Sequence, residues 1–326
     1  MTMKVVFVQT AHKSNDDRVF YHQDPILRQF GYQTAILSTV GAYTSFREER
    51  QAIRHFLYEQ NADYIICDTP KAVLSAVGCH SMIIYDITEW YPSKKNLRSR
   101  GLLMPIVAVM MAGINFLAGC IADAFIFGEE DKRIPFRLFF WKKYIMLPYY
   151  PSLRFFEHPV FQAPVQRCRL FYAGPRTKEK GWERVLQVVA ICKERRSDIA
   201  FELIHLAPEE YLQLPDFCHF IQDVDICLDL RDIDTENTHC LPIKLFYYMA
   251  AGKPVVYSRL ESIEHQVPEI QECGTLVRSI EEAVASILQY CDDSEGYMTA
   301  AQKGHQLFKE KYNWEKIADR LFRLIH

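Results

Sequence analysis

Pro242-Ile243-Lys244-Leu245-Phe246-Tyr247-Tyr248-Met249-Ala250-Ala251-Gly252-Lys253-Pro254-Val255-Val256-Tyr257-Ser258 reads as a short helix, a tight turn and a buried strand. Pro242 carries the fixed φ suited to a first helical position, and Leu245, Tyr248, Met249 and Ala250 can share an apolar face. Gly252 supplies the residue after the helix that adopts positive φ, and Pro254 keeps the helix from resuming. Val255-Val256-Tyr257 is the β-branched and aromatic run expected of a buried strand. Taken alone, the stretch is a plain αβ unit of a kind found on many folds.

Upstream, strand and helix patterns alternate. Strand candidates are Val5–Val8, Thr34–Leu37, Tyr64–Cys67, Met82–Tyr85, Ala124–Phe127 and Tyr144–Leu147, with helical patterns around Val19–Phe30, Arg47–Glu59, Lys71–Val77, Leu102–Ala122 and Glu130–Phe140. Such alternation predicts a parallel sheet covered on both faces, with ligands beyond the carboxyl ends of its strands. Pro148, Pro151, Pro159 and Pro164, set among aromatics, break the pattern and predict a stiff linker. Alternation restarts at Leu170–Gly174 and continues through helix Gly181–Glu194, strand Phe201–Leu206, strand Ile226–Leu228, the Pro242–Ser258 unit, strand Thr275–Val277 and helix Ile280–Tyr290. The terminal run Asn313–Leu324 is amphipathic, with Trp314, Ile317, Ala318, Leu321 and Phe322 on one side.

The chain of 326 residues is long enough for two domains, each with its own core. A hydrophobic content of 49% and a charged content of 24% are ordinary for a soluble enzyme, and the net charge of −3 gives no reason to expect nucleic acid. The ten cysteines form no C-x-x-C pair, so neither a zinc site nor a disulfide framework is indicated. Lys4–Gln9 opens the chain as a strand with no secretory signal before it, which predicts a cytoplasmic protein with buried, reduced thiols.

The Pro242–Ser258 stretch resembles the P-x-K-L-x-E-Y-M-A-x-G-K-P-V-V signature of nucleotide-sugar glycosyltransferases with the GT-B fold, in the large retaining family, with Tyr247 at the glutamate position. The resemblance implies an α/β architecture of two Rossmann-like parallel-sheet domains facing a central cleft. It implies an acceptor-side domain over 1–150, a donor domain over 165–310, and a last helix, 311–326, crossing back onto the first domain. Gly174-Pro175-Arg176-Thr177-Lys178-Glu179-Lys180-Gly181 resembles the family's G-R-x-x-x-E-K-G loop, which holds the donor phosphates. Pro175 stands at the arginine position, so Arg176 takes that role if the loop shifts by one residue. The implied donor set is Gly174, Arg176, Lys180, Lys244, Tyr247 and His239, the last standing where the family has a further glutamate. Fixed cations of this kind stabilise a diphosphate leaving group without a metal. The implied donor substrate is a nucleotide diphosphate sugar, with no cofactor and no metal; Asp223-Val224-Asp225 and Asp232-Ile233-Asp234 spell D-x-D but are assigned none.

His12-Lys13-Ser14-Asn15-Asp16-Asp17-Arg18 resembles the family's acceptor-side loop, and it lacks the G-x-G-x-x-G of dinucleotide-binding dehydrogenases. There the resemblance makes His12 a catalytic candidate in contact with the transferred sugar, Asp17 and Arg18 are acceptor-side candidates, and Arg18 reads equally well as a structural ion-pair partner. Tyr85-Asp86-Ile87-Thr88-Glu89-Trp90-Tyr91-Pro92 resembles the Y-D-x-H-E-x-x-P segment, with Thr88, a further acceptor-side candidate, in place of histidine. It places Asp86 and Glu89 at the mouth of the cleft as acid–base candidates. His80 and His205 read as structural.

Gly101–Ala122 contains no charged residue, and Asn115 is its one strongly polar side chain. Its length satisfies a spanning criterion, yet a sheet strand follows at once, so a buried or membrane-facing helix is expected. Lys94, Lys95, Arg98 and Arg100 immediately upstream favour peripheral contact with an anionic membrane. The expected function is sugar transfer to a glycan or lipid-linked acceptor, with a nucleotide-sugar epimerase or a non-catalytic glycosyltransferase-like binding protein as alternatives.

Overall fold

A computed structural model describes residues 2–89, 92, 97, 101–210, 212–233 and 235–326. Lys94, Lys95, Arg98, Arg100 and Asp234 therefore lie outside the described residues. The chain divides into two compact units, Met1–Tyr149 with Ile317–His326, and Tyr150–Lys316.

The first unit is a six-stranded parallel sheet. Its strands are β1 (Lys4–Gln9), β2 (Gln33–Ser38), β3 (Tyr64–Cys67), β4 (Met82–Ile87), β5 (Ala124–Phe127) and β6 (Lys143–Met146), in spatial order β2-β1-β3-β4-β5-β6. Val6 and Val8 of β1 join Ile65 and Cys67 of β3 and Ile83, Tyr85 and Ile87 of β4 in one core. The chain reverses its direction of progress between β1 and β3. That reversal opens a crevice at the carboxyl ends of these two strands.

The helices follow local chemistry. The expected helix over Val19–Phe30 is a π-helical turn, Arg18–Gln23, running into α1 (Asp24–Gln29). Pro25 supplies the reason, because it has no N–H to donate one turn back and widens the preceding turn. Ser45 caps α2 (Phe46–Gln60) by accepting from the Glu48 amide, and Thr69 caps α3 (Pro70–Ala76) by accepting from the Ala72 amide at 3.2 Å. The apolar helix is α4 (Met104–Ile121), entered through a 3-10 turn, Gly101–Leu103. The Glu130–Phe140 pattern is a 3-10 helix, Asp131–Phe139, because Pro135 lies inside it.

The second unit holds β7 (Arg167–Ala173), β8 (Ala200–Leu206), β9 (Ile226–Asp229), β10 (Val255–Ser258) and β11 (Gly274–Val277), all parallel, in order β11-β10-β9-β7-β8. Here the reversal falls between β7 and β9. Its helices are α5 (Trp182–Arg195), α6 (Leu214–Phe220), α7 (Thr235–Thr238), α8 (Lys244–Ala250), α9 (Glu261–Gln266), α10 (Ile280–Asp292) and α11 (Ser294–Glu310). The turn read at Gly252 is a Schellman cap: the Gly252 amide donates to Met249 and the Lys253 amide to Tyr248. Gly252 has φ +64°, and a Cβ there would stand 2.3 Å from the Phe161 ring. Helix α11 has no counterpart in the sequence expectations, since Gly296 and Gly304 interrupt its pattern. Gly296 donates to the Asp293 cap, and Gly304 packs against Cys273. The last helix, α12 (Ala318–Ile325), belongs to the first unit, where Phe322 stacks near Phe30 with ring centroids 4.6 Å apart and Arg320 donates to the Met146 carbonyl.

Candidate functional site

In the second unit the loop Gly174–Gly181 leaves β7 at the reversal point and opens α5. A Cβ on Gly181, whose φ is +84°, would meet the Leu230 carbonyl oxygen at 2.0 Å. Only glycine allows this approach of the loop to the segment after β9. Beneath the loop, the Tyr172 hydroxyl lies 2.9 Å from the Pro175 carbonyl and 3.0 Å from that of Lys180. His205 stacks on Tyr172, its Nε2 donating to the Gly174 carbonyl at 2.8 Å and its Nδ1 accepting from Arg176 Nε at 3.2 Å. The guanidinium of Arg176 also lies over the Trp182 ring. His205, read from sequence as structural, thus orients a candidate phosphate ligand.

Lys180 donates to Asn237 Oδ1 at 2.8 Å, and the Asn237 amide donates to the Glu179 and Asp232 carbonyls. Asn237, on α7, therefore ties the loop to the segment after β9. His239 follows in the next turn, half-buried. Asp232 pairs with Arg184 at 3.5 Å, and Asp225 accepts from the Arg169 amide at the start of β9. Asp234 lies outside the described residues; among the described residues no group of three His, Cys, Asp or Glu side chains is arranged to hold a metal.

Lys244 enters this site from the first turn of α8. Its ammonium bonds Asp229 Oδ1 at 3.1 Å and the Ala173 carbonyl at 3.0 Å, and lies over the Tyr172 ring. Arg231 takes the same carboxylate oxygen at 2.9 Å. Burial lowers the pKa of Lys244 to about 8, against the pull of Asp229. Burial alone would raise that of Asp229, but Arg231 and Lys244 outweigh it and hold it below its ordinary value. Two cations on one buried carboxylate leave a net positive site at the carboxyl ends of β7 and β9. Sequence reasoning missed Asp229, Arg231 and Asn237.

Tyr247 is placed differently from the expectation. Its ring is 5% exposed, set edge-on to Phe156 and Phe217 in the core of the unit, because every residue from Leu245 to Ala250 is buried. It is a packing residue, and a ribose contact is not its position in this structure.

In the first unit the corresponding loop follows β1. Asp68, 3% exposed beyond β3, accepts from the Thr10 amide at 2.9 Å, the Ala11 amide at 3.0 Å and His12 Nδ1 at 3.0 Å. Burial, the largest influence, would lower the pKa of His12, but the hydrogen bond to Asp68 together with the negative charges of Asp16 and Asp68 raises it above 6.5. His12 keeps about a quarter of its side chain exposed, at the reversal point of the sheet. Arg18 opens the π-helical turn and bonds Asp86 Oδ1 at 2.8 Å, while Gln23 donates to Asp86 Oδ2 at 3.2 Å. Asp86 is 2% exposed and its pKa is raised by burial, against Arg18. The expectation of Asp86 at a cleft mouth is thereby corrected: it lies on the same face of β4 as Ile84, closed over by the π-helical turn, and Arg18 is its ion-pair partner. The Asp17 carbonyl accepts from His22. Thr88 offers its carbonyl to the buried Lys132, which also pairs with Glu129 at 2.8 Å, and Glu89 follows in a half-buried bend. Asp68 and Lys132 were not foreseen.

A sequence model of the family described as Glycosyl transferase-like matches residues 186–323. No curated protein matches the sequence. Among solved structures, sucrose-phosphate synthase from Thermosynechococcus elongatus superposes with a TM-score of 0.70 at 12% identity, covering 99% of this chain and 98% of that one. Anabaena HepE in complex with UDP-glucose gives 0.63 at 13% identity, covering 98% of each chain. A putative UDP-N-acetylglucosamine 2-epimerase from Listeria monocytogenes gives 0.63 at 14% identity, covering 100% of this chain and 96% of that one. With its two parallel-sheet Rossmann-like units, the chain has the GT-B fold.

Proposed function

We propose that the protein is a glycosyltransferase that moves a sugar from a nucleotide diphosphate sugar to a glycan or lipid-linked acceptor. The observation that carries this is the cationic loop Gly174–Gly181, which brings Arg176 and Lys180 to the reversal point of a GT-B unit beside the Asp229–Arg231–Lys244 cluster. A diphosphate is the ligand that fixed cations at such a position suit, and their charge stabilises it as it leaves. The matched family and the UDP-glucose complex of a structural neighbour support the same donor class. In this reading Lys180 and Arg176 contact the phosphates directly, while Lys244 works from beneath. Its bonds to Asp229 and Ala173 hold the two strand ends together under the loop. On the first unit, His12, held by Asp68, faces the transferred sugar or the acceptor, and Arg18 and Asp86 set the loop that carries it.

Retention of anomeric configuration and independence from metal follow from the family resemblance and belong to the proposal, as does a cytoplasmic setting. The Listeria neighbour gives a second reading, epimerisation of a nucleotide sugar on the same fold. Incubating the purified protein with UDP-, GDP- and CDP-sugars, with and without chelator, tests both. Transfer or slow hydrolysis that releases nucleoside diphosphate and survives chelation supports the proposal; an epimerised nucleotide sugar with no transfer replaces it.

A further inference from the structure

Helix α4 has its polarity reversed. Its single strongly polar side chain, Asn115, points into the protein, where its Oδ1 accepts from the buried Tyr85 hydroxyl at 2.9 Å. Ala118 and Gly119 also face inward, Val107, Ala108, Met111 and Ile121 are half-buried, and most of the rest faces out: Ile106 is 64% exposed, Val109 74% and Met110 59%. The entering turn adds Leu102, 99% exposed. A helix in water presents the opposite arrangement. It does not span, because β4 and β5, which it joins, are neighbouring parallel strands of one sheet.

The apolar face continues beyond the helix. Ring contacts run from Phe116 through Phe139 and Trp141 to Phe140, with centroids 5.2, 5.9 and 5.2 Å apart. Phe140 is 86% exposed and Leu138 67%. Lys142 fixes this turn to the helix end by donating to the Gly119, Cys120 and Ala122 carbonyls at 2.8, 2.7 and 2.5 Å. The Gly119 and Cys120 carbonyls in the last turn of α4 are thereby satisfied. A contiguous apolar surface of this kind on a monomer marks an interaction site.

Charge identifies what covers it. No carboxylate occurs from Trp90 to Ala122 or from Lys132 to Phe156, while Lys94, Lys95, Arg98, Arg100, Arg137 and Lys143 fall within those stretches. Arg137 and Lys143 are exposed. Aromatic, aliphatic and basic side chains in this proportion suit an anionic bilayer surface, with Asp123, exposed at the end of α4, near Lys142. A pocket of about 270 Å³ also connects α4 to the candidate site: Met111 and Ile114 form one wall, and Thr10, Ala11, Thr69 and Pro70 the other. Thr10 and Ala11 are the residues that Asp68 holds next to His12.

We propose that this face docks on an anionic bilayer and that the acceptor is lipid-linked, taken from that bilayer with its apolar root in the pocket beside Met111 and Ile114. The acceptor part rests on the glycosyltransferase reading; the docking part does not. Flotation with phosphatidylcholine vesicles, with and without phosphatidylglycerol, tests the docking. The protein is expected to float with the anionic vesicles and to be released by salt. Combined Leu138→Ser, Phe140→Ser and Trp141→Ser changes should weaken this by roughly tenfold or more, because each removes apolar area from the bilayer. Their thermal transition should hold, since all three side chains are exposed. No flotation at low salt, or self-association through this face in its place, overturns the docking. The pocket is tested by binding, so its result stands whether or not the protein transfers sugar. Octyl β-glucoside, below its micelle concentration, should bind roughly tenfold more tightly than methyl β-glucoside, and Met111→Trp should remove the difference. Equal affinities, or an octyl preference that survives Met111→Trp, overturn the lipid-linked acceptor.

Discussion

Gly181→Ala strikes the placement of the phosphate loop, and its effect follows from two separate terms. The added methyl must adopt a φ of +84°, which costs an L-residue about 1–2 kcal/mol. It must also displace the Leu230 carbonyl, whose oxygen and carbon stand 2.0 and 2.4 Å from the new atom. That group is backbone and cannot swing aside, so overpacking of about 1–3 kcal/mol is added. The sum is about 2–5 kcal/mol, or a fall of roughly 10 °C for a unit of this length. Gly31→Ala is the control: its φ is +86°, nothing lies within 4 Å of the new methyl, and only the first term applies. Differential scanning calorimetry of the two variants reads the difference directly. Gly181→Ala should also weaken nucleoside diphosphate binding well below its transition, because the loop carrying Arg176 and Lys180 has moved. If Gly181→Ala falls no further than Gly31→Ala and keeps full affinity, the close approach does not set the loop.

Lys180→Ala should weaken nucleoside diphosphate binding by about 1.5–3 kcal/mol, the range for a hydrogen bond to a charged group, as read by titration calorimetry. Tyr247→Phe should leave that affinity within about 0.5 kcal/mol of wild type, while Tyr247→Ala lowers stability by about 3–5 kcal/mol, as deletion of a core aromatic does. Asp86→Asn should lower stability by about 1.5–3 kcal/mol, because Arg18 loses the charge-assisted bond to Asp86 and keeps Asp16 at 3.9 Å, with nucleotide affinity unchanged in the surviving fold. The raised pKa of His12 means that its pairing with Asp68 stabilises fully below pH 6.5 and is lost as pH rises through the raised value. The stability advantage of wild type over His12→Gln should therefore shrink between about pH 6 and pH 8, measured by thermal melts.

The fold was legible because both sheets are parallel and buried on two faces, so each strand reads as a continuous apolar run. Every strand proposed from the sequence exists, and the turn at Gly252 closes as its glycine requires. Misreadings came from residues whose roles depend on strand order. Asp68 and Asp229 follow or end short strands and carry no local signal. They matter because β3 lies beside β1, and β9 beside β7, at the reversal points. The partnership of Arg18 with Asp86 joins distant segments through a π-helical turn that no periodicity announces. Tyr247 was misjudged for another reason. All six residues from Leu245 to Ala250 are buried, so helical periodicity could not separate a ligand-facing side chain from a core one.

The central claim is a nucleotide diphosphate sugar held by the loop Gly174–Gly181, and thermal denaturation with UDP, GDP, CDP and their sugars tests it most directly. A ligand that binds only the folded protein stabilises it by about 2.7 kcal/mol at a hundred times its Kd. One nucleotide series should raise the transition in wild type and lose most of that rise in Lys180→Ala. No shift with any of the nucleotides, or a shift that Lys180→Ala leaves intact, contradicts it.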